Sequence, residues 1–569
     1  MTEKMQANSG TQAAAFDMLM SSIGSLLTPV VQQLINSDPG LVHLKGWHGM
    51  TALHRACLIG DYNIILMLIQ ANSDVNALTD FNETPLHYAS KRGIPTIVHL
   101  LLQCGAKYEM KDDHGRRALH HAAESGAVQV FRYFEDAFQV NTRELDNNSM
   151  SPLHIACSHG HVELFLYLMM KGRSDLRQED SEGNLAIHIA AKAGFGNMTW
   201  QMLKILGVSV LKKRNKAGYT MLDLVQQNDR HGNRELAPVL KHYADKPEHT
   251  KVDGPVYTWY FLLLYPAVLY TVLITIIQQL SSYQYVVLLV GMLQVWIQMK
   301  GLSHRIPDIS RWPNPFFTGF FYGGILHTTI CYFWLLFPKG YTNLLVLLLS
   351  VTLCPMLHVV FFRLLLTDPA SVASTAFNPR TGKPLTIIDL CMTRNPQYRF
   401  CTYCDIITSL NVKHCKLCDK CYYRMDHHCL YLLKCVAGDN HPRFVWLIIL
   451  GFCNMVCYCI GFCIYVYMLY WGQSMADTFT SLIHHEAWPM SLFFLNTCSA
   501  AWCASLIHYQ FDVVTRECTS YFSETNDTYF KMTRMQKVEN FVHFLLSKPL
   551  PHKNPSSPFG NQKAVGEIV

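Results

Sequence analysis

Hydrophobic and polar positions fall into two regimes that meet near Pro255. Ahead of it, short apolar clusters alternate with polar turns. Beyond it, long apolar runs dominate at 257–278, 283–299, 316–337, 344–366, 444–471 and 488–511. Runs of roughly twenty residues with few charges predict membrane-spanning helices, so six spans are expected. The second is the shortest and carries Gln294 and Gln298.

Charge then sets the orientation. The loop after the second span holds Lys300, Arg305 and Arg311, the loop after the fourth is rich in Lys and Arg, and Arg516, Lys531, Arg534 and Lys537 follow the sixth. The alternate loops carry almost none. By the positive-inside rule both termini and the long loop are cytosolic. Residues Met1–Gly10 lack a basic-then-apolar opening, so no signal peptide is expected. The net charge of +6 fits a cytosol-facing membrane protein and calls for no nucleic-acid partner.

The polar half repeats itself. Thr51-Ala52-Leu53-His54, Thr84-Pro85-Leu86-His87, Arg117-Ala118-Leu119-His120, Ser151-Pro152-Leu153-His154, Leu185-Ala186-Ile187-His188 and Thr220-Met221-Leu222-Asp223 recur every 33 to 35 residues. This period and motif match ankyrin repeats, each a turn and two antiparallel helices that stack into a solenoid. Gly60, Gly93, Gly126 and Gly160 stand where a helix ends in a left-handed cap. The repeat histidines are expected to bridge neighbouring repeats by hydrogen bonds.

The densest chemistry lies in the long loop, as Cys401-x2-Cys404-x9-His414-Cys415-x2-Cys418-x2-Cys421-x4-Asp426-His427-His428-Cys429-x5-Cys435. Two-residue spacings let one tight turn present two sulfurs to a tetrahedral ion. Seven cysteines and three histidines are more than the eight ligands that two such ions take. Within the surplus, Asp-His-x-Cys offers a thiol, an imidazole to activate it and a carboxylate to orient that imidazole. The cytosol keeps thiols reduced, so the twenty cysteines are not a disulfide framework.

This grid, with Cys435-x4-Asn440-x3-Phe444 beyond it, resembles the cysteine-rich domain of the DHHC-type protein S-acyltransferases, the palmitoyltransferases. The resemblance implies two structural zinc ions, one held by Cys401, Cys404, His414 and Cys421, the other by Cys415, Cys418, His428 and Cys435. It implies Cys429 as the acylated nucleophile, His427 as general base and Asp426 as its orienting acid, with palmitoyl-CoA or another long-chain acyl-CoA as co-substrate. Lys413, Lys416, Lys420, Arg424 and Lys434 are candidates for CoA phosphates. Three positions depart from the family pattern: Leu430-Tyr431 replaces Pro-Trp, Asp368-Pro369-Ala370 replaces Asp-Pro-Gly, and Val514-Thr515-Arg516-Glu517 replaces Thr-Thr-x-Glu.

The whole layout resembles the ankyrin-repeat, huntingtin-interacting subgroup of that family. The expected fold class is all-α: an ankyrin solenoid, then a six-span helical domain with a small two-zinc domain between the fourth and fifth spans. The expected segments are 1–35 (helical cap or flexible), 36–245 (repeats), 246–366 (spans one to four), 367–443 (zinc domain), 444–511 (spans five and six) and 512–569 (cytosolic tail). The resemblance implies substrate proteins bound by the repeats, a lipid bilayer, and a Golgi or related endomembrane, with the plasma membrane or vesicles as alternatives. Arg55 and Tyr88 stand where the subgroup places a substrate-binding tryptophan, so its peptide preference does not carry over. Two other classes share parts of the layout: a catalytically impaired ankyrin scaffold, and an ankyrin-repeat six-span channel. The channel needs a re-entrant pore segment, which the polar 472–486 loop does not supply.

Overall fold

The computed structural model describes residues 2–227, 231–248, 250–279, 304–306, 310, 312–338, 343–378, 381–393, 397–521 and 532–548. The chain divides into two compact units, Met1–Asp253 with Ser374–Leu410, and Gly254–Ala373 with Asn411–Val569.

In the first unit, six helix pairs follow one another from Ala52–Ile59 with Tyr62–Gln70 to Met221–Gln226 with His231–Ala244. Each of the first five opens with a capping box in which the N3 histidine ring returns to the N-cap backbone. In four of the five the other ring nitrogen reaches the next repeat. His54 Nε2 donates to the Glu83 carbonyl at 3.1 Å, and His120, His154 and His188 repeat the bond to Glu144, Gln178 and Lys213. Gly60, Gly93, Gly126 and Gly160 cap the first four inner helices at φ between 73° and 90°, where a side chain would be strained.

Short strands occur between Ser371 and Val436: β1 (Ser371–Val372), β2 (Tyr398–Cys401), β3 (Ile406–Ser409), β4 (Val412–Cys415), β5 (Lys420–Tyr423), β6 (His427–Cys429) and β7 (Lys434–Val436). They form antiparallel hairpins β2–β3 and β6–β7 and a small sheet in the order β1-β5-β4. The chain is therefore mostly helical, and the all-α expectation fails in the cysteine-rich segment. Strands of two to four residues are too short to show a period of two against a pattern dominated by cysteine.

Among the described residues of the second unit, five helices are long and apolar enough to cross a membrane: Val256–Leu273, Phe316–Leu336, Leu344–Leu366, His441–Leu469 and Ala487–Thr515. The span expected at 283–299 lies outside the described residues. Small residues bring the first two of these helices together. A Cβ on Gly319 would meet the Leu263 carbonyl oxygen at 1.9 Å, so glycine permits that approach. Near the hairpin end of the bundle, Phe361, Leu364, Leu432, Val436 and Leu447 form an apolar cluster that includes Cys429.

Candidate active site and metal centres

Hairpin β6–β7 organises the chemistry. Its register pairs His427 with Val436, His428 with Cys435 and Cys429 with Lys434. Alternation along a strand sends His427 and Cys429 to one face and His428 to the other.

On the second face, the His428 Nδ1 lies 3.3, 3.6 and 3.8 Å from the sulfurs of Cys418, Cys415 and Cys435. One ligand atom from each of these four residues falls within 4.8 Å of the others, and the same holds for Cys401, Cys404, His414 and Cys421. His414 and Cys421 face each other directly across β4–β5. Separations near 3.7 Å are the edges expected of a tetrahedron with bonds of about 2.0–2.3 Å, and three thiols with one imidazole are soft donors that suit zinc. Both groups could hold a metal ion.

On the first face, His427 Nδ1 donates to Asp426 Oδ2 at 2.7 Å. Cys429 shares this face with the ring. Burial disfavours the charged imidazole, but Asp426 and Cys429 outweigh it and raise the pKa of His427 to about 9. Burial likewise opposes ionisation of Asp426. Its neighbours His441 and His427 and a backbone N–H overcome this and hold its carboxyl well below the usual carboxylate range. The T-shaped contact of Phe444 with the His427 ring, centroids 5.1 Å apart, fixes the imidazole plane. Asn440 ties the exit of β7 by donating to the Cys435 carbonyl and accepting from Ala437 N–H.

Further residues serve the acid although no motif marks them. Ser520 N–H donates to Asp426 Oδ1 at 2.5 Å, and Gln510 Nε2 reaches Asp426 Oδ2 at 3.4 Å. His441 in turn donates to the Gln510 side-chain oxygen at 2.8 Å. Thr519 Oγ1 caps the Met425 carbonyl beside the acid. Gln510, Thr519 and Ser520 lie on or just after the last span, Gln510 and Ser520 being 84 and 94 residues from Asp426, and His441 opens the span before it. The only sequence hint was the altered Val514–Glu517 motif nearby.

The altered pair after Cys429 is accommodated. The Leu430 carbonyl accepts from Thr318 Oγ1 at 3.1 Å, and Tyr431 packs against Phe317, Phe321 and Trp502. Tyr431 and Trp502 line an apolar cavity of about 260 Å³ among the spans, with Phe321, Tyr270, Leu492 and Cys503. Of the basic residues, Lys434 Nζ is held by the Leu365 and Thr367 carbonyls, and Lys413 lies over the Tyr521 ring. Lys416 and Lys420 are exposed.

Residues 394–527 match the family model described as DHHC palmitoyltransferase. The chain carries a DHHC palmitoyltransferase domain. Ankyrin-repeat models match residues 18–112 and 106–180 ahead of it. Human palmitoyltransferase ZDHHC13 is 29% identical over 157 residues, covering 26% of this chain and 24% of that protein. Human palmitoyltransferase ZDHHC17 is 34% identical over 116 residues, covering 20% and 17%. Palmitoyltransferase akr1 of Neurospora crassa is 23% identical over 258 residues, covering 41% and 33%. The matched part thus spans about a third or less of these curated relatives. Among solved structures, the human ASB11 ankyrin repeat domain aligns at 23% identity and a TM-score of 0.35, covering 40% of this chain and 98% of that one.

Proposed function

We propose that the protein is a protein S-acyltransferase. It moves a palmitoyl or other long-chain acyl group from acyl-CoA, through a thioester on Cys429, to cysteine thiols of proteins recruited by the ankyrin repeats. The observation that carries this reading is the constellation at one hairpin of the Cys429 thiol, the His427 imidazole and the Asp426 carboxylate bonded to that ring, with Tyr431 leading into an apolar cavity.

In the first step the Cys429 sulfur attacks the thioester carbonyl of acyl-CoA, the carbon–sulfur bond to CoA breaks, and CoA leaves as its thiol with the proton that His427 took from Cys429. In the second step a substrate cysteine gives its proton to His427 and attacks the acyl-enzyme, and Cys429 is released. Asp426 holds the Nδ1–H of His427, leaving Nε2 for these transfers. The acyl chain occupies the apolar cavity, and CoA remains on the polar side near Lys416 and Lys420.

Zinc fits both tetrads. Cys401, Cys404, His414 and Cys421 would hold one ion, and Cys415, Cys418, His428 and Cys435 the other. Four protein ligands fill a tetrahedral shell, so bound zinc supplies structure here. The exposed stack of Trp47 on His48, with Phe81 beside it, offers the repeats an aromatic surface for partners. The family resemblance supports a Golgi or related endomembrane location, with the plasma membrane or vesicles as alternatives.

Incubation of the purified protein with a labelled long-chain acyl-CoA tests this reading. A hydroxylamine-sensitive adduct is expected on the wild type and absent from Cys429→Ser. A wild type that binds two zinc ions and forms no adduct refutes the enzyme reading and leaves a scaffold.

A further inference from the structure

The turn Cys401–Asp405 is built against the ankyrin repeats. Asp405 follows Cys404, and its side chain is only 2% exposed. Arg132 Nη1, from the outer helix Val128–Phe138, donates to both Asp405 carboxylate oxygens at 3.2 Å. Arg173 Nη2, from the turn after the next outer helix, Val162–Met169, donates to Asp405 Oδ2 at 2.8 Å. The arginines are themselves fixed. Arg132 pairs with Asp136 at 3.0 Å, and Arg173 donates to Glu135 at 2.7 Å while lying over the Tyr167 ring. Beside them, the Thr402 and Tyr403 hydroxyls donate to the two carboxylate oxygens of Glu163, each at 2.7 Å. Asp136 also accepts from Ile387 N–H, where the helix Ile387–Thr393 begins.

The turn does not need this clasp for its own shape. Cys415–Asp419 repeats it: Asp419 N–H donates to the Cys415 carbonyl at 2.9 Å, as Asp405 N–H does to Cys401 at 3.0 Å. Asp419 has a φ of 53° and Asp405 of 55°. Yet Asp419 is exposed to solvent. The burial of Asp405 under two arginines therefore serves the joint with the repeats. A carboxylate taken out of water is tolerated only with such partners, and their geometry fixes one register.

We propose that the outer-helix face of the third and fourth repeats is a built-in docking surface for the Cys401–Asp405 turn, holding Cys401 and Cys404 in place for the first metal site. Arg132 and Arg173 are the cationic seat, Asp405 is the key, and Glu163 is a second latch. This proposal rests on the reading of that tetrad as a zinc site. It makes the array a structural part of the acyl-transfer domain as well as a recruiter, and leaves the inner helices and turn tips for substrates.

The test uses the full-length protein purified in detergent, and its readouts are independent of catalysis. Bound zinc is counted, cobalt(II) replaces zinc for d–d absorption, and cysteine alkylation is mapped by mass spectrometry. Asp405→Asn is expected to lower bound zinc from two ions per chain to about one, halve the cobalt absorption, and expose Cys401 and Cys404 while Cys415, Cys418 and Cys435 stay protected. Asp405→Glu is expected to restore most of this, and Asp419→Asn to change nothing. Glu163→Gln, a milder change that leaves the arginine pairs intact, is expected to raise alkylation of Cys401 and Cys404 a few-fold. Full zinc and full protection in both Asp405→Asn and Glu163→Gln overturns the proposal. So does uniform exposure of all five cysteines in Glu163→Gln. A wild type that never binds two zinc ions defeats the underlying metal reading instead.

Discussion

The two cysteine turns of the DHHC domain are local twins with different neighbours. Cys401-x2-Cys404-Asp405 and Cys415-x2-Cys418-Asp419 share spacing, a left-handed aspartate and the same backbone hydrogen bond. One aspartate is sealed by Arg132 and Arg173, and the other faces water. The second turn also sits closer to the chemistry, because its tetrad includes His428 and Cys435 on the hairpin that carries Cys429. Equal ligand spacing therefore does not mean equal surroundings: the second turn shares its tetrad with the hairpin that carries Cys429, and the first packs on the repeats.

The largest expected contrast comes from removing one ligand on each side. Cys435→Ser breaks the tetrad across from His428 in the β6–β7 register, and is expected to reduce acyl-enzyme formation by at least about 100-fold. Cys401→Ser is expected to cost about 10-fold, since a site remote from the reacting group acts on it as a supporting shell does, and losses there are commonly 10–100-fold. Acyl-CoA labelling of both variants measures the difference, and equal losses would break the comparison. Next in size is Asp405→Asn, which removes the buried carboxylate that Arg132, partly exposed, and Arg173, buried, share. Removing one partner of a buried pair costs about 3–5 kcal/mol, whereas an exposed change such as Asp419→Asn falls within about 0.5 kcal/mol. Denaturant unfolding followed through the repeats distinguishes these.

How far the molecule was legible in advance follows the range of the interactions. The repeats and the cysteine grid depend on residues a few positions apart, so their spacing carries them. The Asp405–Arg132 contact spans 273 positions and has no period to betray it. Gln510 on the last span and Ser520 beyond it reach Asp426, where the Val514–Glu517 motif marks the neighbourhood and not those side chains. Tyr431 departs from the family pattern beside the thiol. Its ring instead joins Phe317, Phe321 and Trp502, a role that only the packed spans define.

Acid should act on the first three repeats, the third of which supplies Arg132 to the first turn. Burial lowers the pKa of His54, His87 and His120 to about 4, against about 6.5 in an unfolded chain. Because the unfolded state binds more protons between these values, stability is intact above about pH 6.5 and falls as pH drops toward 4. At pH 5.5 each ring contributes a loss of about 1.4 kcal/mol. Hydrogen exchange across residues 52–206 at pH 7.5 and 5.5 measures it, and unchanged protection contradicts the burial of these rings.

The smallest predicted effect isolates the left-handed backbone that the two turns share. Ala370 also lies there, at φ 72°, where the family pattern has glycine. Aspartate tolerates this region because its short polar side chain bonds locally, but an alanine Cβ crowds the following carbonyl oxygen. The conformation is held by bonds on both sides: Asp368 accepts from Ser371 N–H at 2.6 Å, and the Ala370 carbonyl accepts from Tyr423 N–H at 3.1 Å. Tyr423 ends β5, the strand that contributes Cys421, so relief at Ala370 acts on the same small sheet. Ala370→Gly is expected to stabilise the domain by about 1 kcal/mol without altering zinc content. Asp419→Gly is expected to change stability by less than half as much, since aspartate there carries little strain to relieve. A destabilised Ala370→Gly would mean that the methyl group packs more than it strains, and thermal unfolding of the two variants side by side decides it.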